Sequence, residues 1–310
     1  MKNRLVFLSE VKSSELKFVG GKAKPLTKLI KIGIVVPSGF VIKTTVFDWV
    51  LSENGCFEKI KNILNKKNSL GEKAQKIRNL INAIKMPKDL EEEIYNYFYQ
   101  LRSSRVAVRS SADCEDMKKL SWAGEFDTYI SVEPENLIKR IKQCWGSLYS
   151  ERALHYALNS KGVLEKRSMA VIVQSMIFGD FSGVCFTVDP ISKDKNMSVI
   201  EAIYGSGELL VSGEVSPDKY WIEKDDEIIF DIEVSRQTKK ITSNDFGSAC
   251  LKKVEVKNQE AQKLSGKKII EITKVFKQIE RIMDQPQDIE WVIRGSDLFI
   301  LQSRPITTIN

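Results

Sequence analysis

The sequence has little histidine and little cysteine. Its 310 residues include one histidine, His155, and five cysteines. A single histidine excludes metal sites built from several imidazoles, and its place in the helical pattern of residues 151–159 is typical of a surface or interhelical residue. The cysteines are odd in number and form no CxxC pair, so neither a zinc site nor a disulfide framework is supported. We therefore expect a reducing compartment.

Long apolar runs are also absent. No segment approaches the roughly 20 apolar residues that a membrane helix needs, and the N-terminal apolar run is too short for a signal peptide. The net charge is +7, from 48 basic and 41 acidic residues. Because the basic residues are scattered among acidic ones rather than grouped in blocks, no nucleic-acid face is predicted. The excess of positive charge only weakly favours anionic ligands. We expect a cytoplasmic protein with no nucleic-acid or membrane partner.

What is present is ordinary globular composition, with 42% hydrophobic and 29% charged residues. The length suits two lobes or two domains. Apolar residues spaced three and four apart predict helices in the first third, and later a long helix within Asn258 to Met283. Strands are predicted from Arg105 onward, whereas the polar stretch from Lys239 to Lys257 is predicted to be a mobile loop or irregular arm.

A glycine pair precedes the first predicted helix. Gly20 and Gly21 would let the backbone approach a ligand closely, while Lys22 and the helix N-terminus offer positive potential to a phosphate. The same pattern is also typical of a simple helix cap with a solvent-exposed lysine. The spacing is not that of a P-loop.

The segment from Val106 to Ser111 is a buried-looking strand that ends in Arg109 and two hydroxyls, those of Ser110 and Ser111. A guanidinium can bind two phosphate oxygens at once. The alternative is a structural ion pair with one of the nearby carboxylates, Asp113, Glu115 or Asp116, and the spacing does not distinguish the two. The segment from Ser121 to Thr128 could be a loop over a ligand or a tight turn. Thr187, near the end of another strand, could reach a phosphate, although an ordinary strand threonine fits better.

The most specific local pattern lies near residue 300. Asp288 and Glu290 share one face of a predicted strand, and Gln302 and Arg304 share one face of the next. Carboxylate and amide oxygens suit Mg²⁺, and an arginine suits the phosphates that Mg²⁺ bridges, so we favour a metal site over a salt-bridged hairpin.

A three-residue loop, Gly295 to Asp297, is predicted to set the register of this hairpin. It would place Glu290 opposite Gln302 and Asp288 opposite Arg304, as well as Arg294 opposite Leu298 and Val292 opposite Ile300. The other face would then be apolar, formed by Ile289, Trp291, Ile293, Phe299 and Leu301.

Seven motifs in order resemble the nucleotide-binding domain of the phosphoenolpyruvate synthase and pyruvate phosphate dikinase family, which rifampin phosphotransferase shares. They are GGKAKPLTKLIKIGIVVPSGFVI, VAVRSSADCED, WAGEFDTYISV, MAVIVQSMI, SGVCFTVDP, IEAIYGSGELLVSGEVSPDKY and PQDIEW with LQSRPIT. The resemblance runs from about residue 16 to 307. It implies an α+β fold of the ATP-grasp type, with ATP between an N-terminal lobe (1–178) and a C-terminal lobe (179–310).

The resemblance also implies roles for individual residues. Lys22 and Arg109 would bind phosphates, Thr187 would approach the transferred phosphate, and Arg304 would stabilise developing charge. The implied Mg²⁺ ligands are Glu290 and Gln302, assisted by Asp288. The implied adenine and ribose contacts come from the hinge Gln174, Ser175, Met176 and Ile177 and from Glu201. The chain departs from the family at Ala23-Lys24-Pro25, where Gly-Ala-Asn is usual.

The implied function is that of an ATP-binding module of a dikinase-type phosphotransferase. Such a module passes phosphate from ATP to a histidine on another domain or chain, for delivery to pyruvate, an antibiotic or another acceptor. No phospho-accepting histidine motif occurs in this sequence, which implies a His-bearing partner. Two alternatives stay open: an ATP-binding regulatory protein without turnover, and a self-contained ATP-grasp ligase.

Overall fold

The computed structural model describes residues 3–112, 127–159, 168–244 and 247–307. The chain divides into two compact units. The first comprises Met1–Thr27 and Ser38–Met176, and the second comprises Lys28–Pro37 and Ile177–Asn310. Among the described residues, no helix is both long and apolar enough to cross a membrane.

The first unit is an antiparallel sheet covered by helices. The sheet has the strand order β1-β2-β5-β3-β4. Alternate residues of β3 and β5, such as Val108 and Val173, face an apolar core that includes Trp145 and Phe47. In chain order the elements are β1 (Leu5–Phe7), α1 (Ala23–Lys31), β2 (Gly39–Ile42), α2 (Thr44–Glu53), α3 (Cys56–Asn65), α4 (Leu70–Asn82), α5 (Lys88–Gln100), β3 (Val106–Ala112), β4 (Thr128–Val132), α6 (Leu137–Ser147), α7 (Glu151–Asn159) and β5 (Met169–Ser175). The part of α1 from Lys28 onward belongs to the second unit.

The second unit is a six-stranded antiparallel sheet with one long helix on its apolar face. The strand order is β13-β12-β6-β7-β8-β9. The helix, α9, buries Ile272, Phe276 and Ile279 against alternate residues of the sheet such as Trp291. The elements are β6 (Phe181–Phe186), β7 (Met197–Tyr204), α8 (Glu208–Val211), β8 (Asp218–Glu223), β9 (Ile228–Glu233), β10 (Lys239–Ser243), β11 (Ala249–Lys253), α9 (Gly266–Met283), β12 (Gln287–Arg294) and β13 (Asp297–Pro305).

The mixed composition of helices and antiparallel strands agrees with the α+β class predicted from the sequence. The long helix near the C-terminal end is confirmed, although it begins at Gly266 rather than near Asn258. Ser265 sets this start, because its hydroxyl accepts a hydrogen bond from the Lys268 N–H and caps the helix.

The predicted irregular arm from Lys239 to Lys257 is wrong over most of its length, because β10 and β11 pair as a hairpin. Buried Gln237 anchors the base of this hairpin, accepting a hydrogen bond from the Tyr204 N–H at 2.9 Å and donating one to the Tyr204 carbonyl at 3.0 Å. The strands carry lysines and few apolar residues, so the usual alternation of a half-buried strand is missing from the sequence.

Candidate functional site

The turn that precedes α1 requires glycine. Gly20 has φ +75°, and a Cβ atom there would lie 1.9 Å from the Ser111 carbonyl oxygen. Ser111 closes the contact, since its hydroxyl donates to the Val19 carbonyl at 2.9 Å and accepts from the Ala23 N–H at 3.3 Å. The glycine pair therefore ties the start of α1 to the end of β3.

Lys22 and Arg109 are brought to the same part of the first unit. The Lys22 ammonium donates to the Ser110 carbonyl at 3.1 Å, which places it beside the residue that follows Arg109. Arg109 is buried, and alternation along β3 puts it on the sheet face opposite the apolar core. Two cationic side chains thus lie near the end of one strand, an arrangement that suits a phosphate.

Several residues invoked around Arg109 lie outside the described residues. They are Asp113, Glu115 and Asp116, the carboxylates of the ion-pair alternative, and the loop motif from Ser121 to Phe126. The choice between a phosphate ligand and a structural ion pair at Arg109 therefore stays a prediction.

Gln174 to Ile177 form the end of β5 and the passage into the second unit. Gln174 is buried and lies opposite Ala107 of β3, on the same sheet face as Arg109. The Ser175 N–H donates to the Ser38 carbonyl at 2.7 Å and the Met176 N–H to the Arg105 carbonyl at 3.0 Å. The chain enters the second unit at Ile177. These bonds fix the backbone of the predicted adenine-binding segment.

The predicted register of the β12–β13 hairpin is confirmed at the polar end of the hairpin, but the prediction is wrong at the loop. Asp288 lies opposite Arg304 and Glu290 opposite Gln302, as predicted. The loop, however, has two residues, Gly295 and Ser296, so that Arg294 faces Asp297.

A β-bulge between Glu290 and Trp291 explains why the polar pairs are as predicted although the loop is one residue shorter. Leu301 is the extra residue of this bulge, so it shifts the register back by one. Val292 therefore lies opposite Phe299, not Ile300 as predicted. Ile300 takes the place on the core face that Phe299 and Leu301 were predicted to share.

The polar pairs of this hairpin continue across the sheet. Reading along one row of cross-strand neighbours, Gln302 lies opposite Glu290, which lies opposite Val184, which lies opposite Glu201. Adjacent strands are about 4.8 Å apart, so the Glu290 and Glu201 backbones lie roughly 10 Å from each other. This row lies on the sheet face opposite α9, and its Glu and Gln side chains supply carboxylate and amide oxygens to that face.

Asp288 and Arg304 form an ion pair at the neighbouring row. The Arg304 Nε donates to Asp288 Oδ2 at 2.8 Å, and Nη2 lies 2.6 Å from the same oxygen. Burial raises the pKa of Asp288; Arg304 opposes this shift and the Glu290 carboxylate adds to it. Within the described ranges no three His, Cys, Asp or Glu side chains converge as a metal cluster. A metal here would be held by two carboxylates and an amide.

Thr187 lies on the α9 side of the sheet rather than on the carboxylate face. Its hydroxyl donates to Glu280 Oε1 at 2.9 Å and accepts from the Gln287 N–H at 2.8 Å. Lys224 joins this network, donating to Glu280 Oε2 at 2.8 Å and to the Thr187 carbonyl at 2.7 Å. A Thr187 hydroxyl that approached a phosphate would have to leave these bonds.

Glu280 and Lys224 were not singled out in the sequence. Glu280 follows core residue Ile279 on α9, and Lys224 follows the strand β8. The two residues are recognised as partners only from their contact in three dimensions, so no local sequence pattern could have predicted them.

Glu201 is partly buried, and its pKa is raised chiefly by burial. Lys219, its cross-strand neighbour, opposes that shift, whereas the carboxylates of Asp288 and Glu233 add to it. The Glu201 carboxylate therefore interacts with other negative charges, which a bound cation would neutralise.

Comparison with known proteins places this chain in a family. Residues 16–310 match the family described as pyruvate phosphate dikinase, AMP/ATP-binding domain. A rifampicin phosphotransferase from Bacillus cereus is 35% identical over 317 residues, which cover 100% of this chain and 36% of that protein. A probable phosphoenolpyruvate synthase from Methanocaldococcus jannaschii is 34% identical, over 98% of this chain and 27% of that protein. The chain thus spans about a third of the length of these relatives.

Proposed function

The chain belongs to the pyruvate phosphate dikinase AMP/ATP-binding domain family, and on that basis we propose that it binds Mg-ATP and transfers phosphate from it to a histidine on a partner domain or chain. The fold proposed for this activity is the ATP-grasp fold. The phosphate acceptor beyond the histidine is pyruvate, an antibiotic or another small molecule.

The observation that carries this proposal is the register of the β12–β13 hairpin. Glu290 and Gln302 face each other directly, with Asp288 and Arg304 one row away. Hard oxygen donors of this kind fit Mg²⁺, which neutralises the charge on the phosphates when it is bound. The residues present therefore fit the metal.

Each side chain then has a separable task. Glu290 and Gln302 hold the metal, and Asp288 assists while orienting Arg304 through their ion pair. Arg304 stabilises negative charge that develops on the transferred group. Lys22 and Arg109 of the first unit bind the phosphates, and the backbone of Gln174 to Ile177 binds adenine.

The proposal is tested by binding and by thermal unfolding. Mg-ATP at a hundredfold excess over its dissociation constant should add about 2.7 kcal/mol to the free energy of unfolding. Glu290→Gln should weaken Mg-ATP binding by about tenfold or more, because it replaces a charged ligand, and should leave metal-free ATP binding unchanged.

Glu227→Gln is the matched control, since Glu227 lies in the same unit and forms ion pairs with Lys274 and Lys277. It should bind Mg-ATP like the wild type. A melting temperature that does not respond to millimolar Mg-ATP, with calorimetry also showing no heat of binding, would refute the proposal.

A further inference from the structure

Gln287, the first residue of β12, carries a buried carboxamide to which the proposed function gives no task. The residue is 1% exposed, and alternation along β12 puts its side chain on the α9 side with the core residues Ile289 and Trp291. An apolar side chain would fill such a position at lower cost, because a buried amide must find hydrogen bonds that replace those of water. The presence of a carboxamide here therefore requires an explanation.

Every polar atom of Gln287 has a hydrogen-bond partner. Its N–H donates to the Thr187 hydroxyl at 2.8 Å, and its carbonyl accepts from the Thr187 N–H at 2.9 Å. Its Nε2 donates to the carbonyls of Gln285 at 3.0 Å and Pro286 at 3.1 Å. Its Oε1 accepts from the Ser303 hydroxyl at 2.7 Å. Gln287 thus joins β12 to the end of β6 on one side and to β13 on the other.

Ser303 lies between Gln302 and Arg304 in the chain. It is 2% exposed and lies opposite Ile289, on the α9 side, whereas its two neighbours face the other side of the sheet. The hydrogen bond between Ser303 and Gln287 is therefore buried directly behind the side chains that are proposed to bind the metal and the phosphate.

The bulge at Leu301 gives β13 a need for such an anchor. A bulge interrupts the ladder of backbone hydrogen bonds, and this one lies between the hairpin loop and Gln302. With the two-residue loop and no bulge, a regular ladder would bring Leu301 opposite Glu290. The loop alone therefore does not fix the position of Gln302, and contacts beyond the bulge have to do so.

Two side-chain contacts between the strands lie beyond the bulge. The ion pair of Asp288 with Arg304 is partly open to solvent, since the Arg304 side chain is 42% exposed, and Arg304 also has a proposed task at the transferred phosphate. The hydrogen bond of Ser303 to Gln287 is buried on the opposite face of the sheet. It can therefore hold β13 in place whether or not a ligand is bound.

We infer that Gln287 is a positioning residue, which acts through Ser303 to hold Gln302 opposite Glu290 so that both can bind one Mg²⁺. This inference rests on the proposed binding of Mg-ATP. The side chains of Gln287 and Ser303 face away from the proposed metal, so they act on it only by placing its ligands. Residues that orient metal ligands typically contribute a factor of about ten to a hundred in metal affinity.

Ser303→Ala tests the inference with two measurements. In the protein without ATP or metal, amide hydrogen exchange at residues 302–304 should become faster, because the anchor of this end of β13 is lost. In titrations, the affinity for Mg-ATP should fall by about tenfold, whereas the affinity for metal-free ATP should not change. Gln287→Met removes the acceptor of the same hydrogen bond and should give the same two results.

Deletion of Leu301 separates positioning from a general loss of stability. Without the bulge, the ladder runs unbroken from the loop to Gln302, so the loop itself places Gln302 opposite Glu290. Ser303→Ala combined with this deletion should therefore bind Mg-ATP as well as the deletion alone does. A serine that only supported the fold would weaken binding equally with and without the bulge.

Ser198→Ala is the matched control. Ser198 is also 2% exposed in a strand of the same sheet, and its hydroxyl donates to the Ile222 carbonyl at 3.3 Å. Its replacement removes a comparable buried hydrogen bond away from the β12–β13 hairpin. It should leave the Mg²⁺ dependence of ATP binding unchanged.

Three results would overturn the inference while leaving ATP binding itself established. They are unchanged exchange or unchanged Mg-ATP affinity in Ser303→Ala, equal losses of affinity for Mg-ATP and for metal-free ATP, and a combined variant that binds Mg-ATP more weakly than the deletion alone. A wild-type protein that bound no Mg-ATP would instead overturn the proposed function, and the positioning role with it.

Discussion

Thr187, Lys224 and Glu280 form a buried network that fixes the start of β12, next to Asp288. The Glu280 carboxylate receives one hydrogen bond from Thr187 and one from Lys224. The side chains of Lys224 and Glu280 are 11% and 21% exposed. Each charge is therefore largely shielded from solvent and is paired with the other, and the hydrogen bonds link all three residues.

Glu280→Ala should destabilise the protein by about 1 to 3 kcal/mol, because it leaves the largely buried Lys224 ammonium with the Thr187 carbonyl but without its carboxylate. The change in the free energy of unfolding is measured by urea unfolding, followed by a signal from the second unit such as the fluorescence of buried Trp291. Thr187→Val, which removes only a hydroxyl, should cost about 1 to 3 kcal/mol.

Lys274→Ala is the control for Glu280→Ala on the same helix. Its ion pair with Glu227 is 3.3 Å long and Lys274 is 60% exposed, so less than about 1 kcal/mol should be lost. If both variants unfolded at the same urea concentration, the buried pair would contribute no more than a surface pair.

At the scale of elements, most helices and strands could be predicted from periodicity alone. The helix α9 is an example, since Ile272, Phe276, Ile279 and Met283 repeat at helical spacing on the side that meets the sheet. The β10–β11 hairpin could not, because Lys239 and Lys240 pair with Lys253 and Lys252 and leave no apolar alternation to detect. The first strands, β1 and β2, are too short to stand out.

The β12–β13 hairpin shows the limit of register prediction. Gly295 has φ +60°, which is typical of the first position in a two-residue hairpin loop, and a Gly-Ser pair is a recognised signal for such a loop. That local signal implies a shift of one residue at Glu290. The bulge at Leu301 cancels this shift, and no local sequence pattern in β13 predicts the bulge. The polar pairs were therefore predicted correctly from an incorrect loop.

Deletion of Leu301 should leave the site intact, because it removes the extra residue of the bulge. Ile300 would stay opposite Trp291, and Gln302, now the next residue, would stay opposite Glu290 in a regular ladder. We expect Mg-ATP affinity within about threefold of the wild type. Deletion of Ile300 and Leu301 together would instead bring Ser303 opposite Glu290, and Mg-dependent affinity should be lost. Equal binding by the two deletions would mean that the register does not set the metal site.

At the scale of the whole molecule, two findings agree: the family match and the share of each relative that is matched both identify this chain with the ATP-binding part of longer proteins. The chain matches the ATP-binding domain and covers 36% of the Bacillus cereus relative. The lobe boundary near residue 178 and the His-bearing partner stay proposals. The carboxylate face and the Lys22 turn each belong to one unit, so each can be tested separately.

The partner proposal predicts that this chain alone consumes ATP slowly. Its one histidine, His155, lies exposed on α7, away from the glycine turn in sequence and on a helix face rather than at the end of a strand. Phosphoryl transfer needs the acceptor in line with the transferred group, and water lacks the positioning that a docked side chain supplies. Steady release of phosphate should therefore be slow and unchanged by His155→Ala.

Adding the remaining, non-matching part of the Bacillus cereus relative should produce a protein-bound phosphate derived from ATP, and Glu290→Gln should abolish it. Rapid turnover by the chain alone that persists in His155→Ala would instead favour a self-contained ligase or an ATPase, because water or a bound small molecule would then be the acceptor.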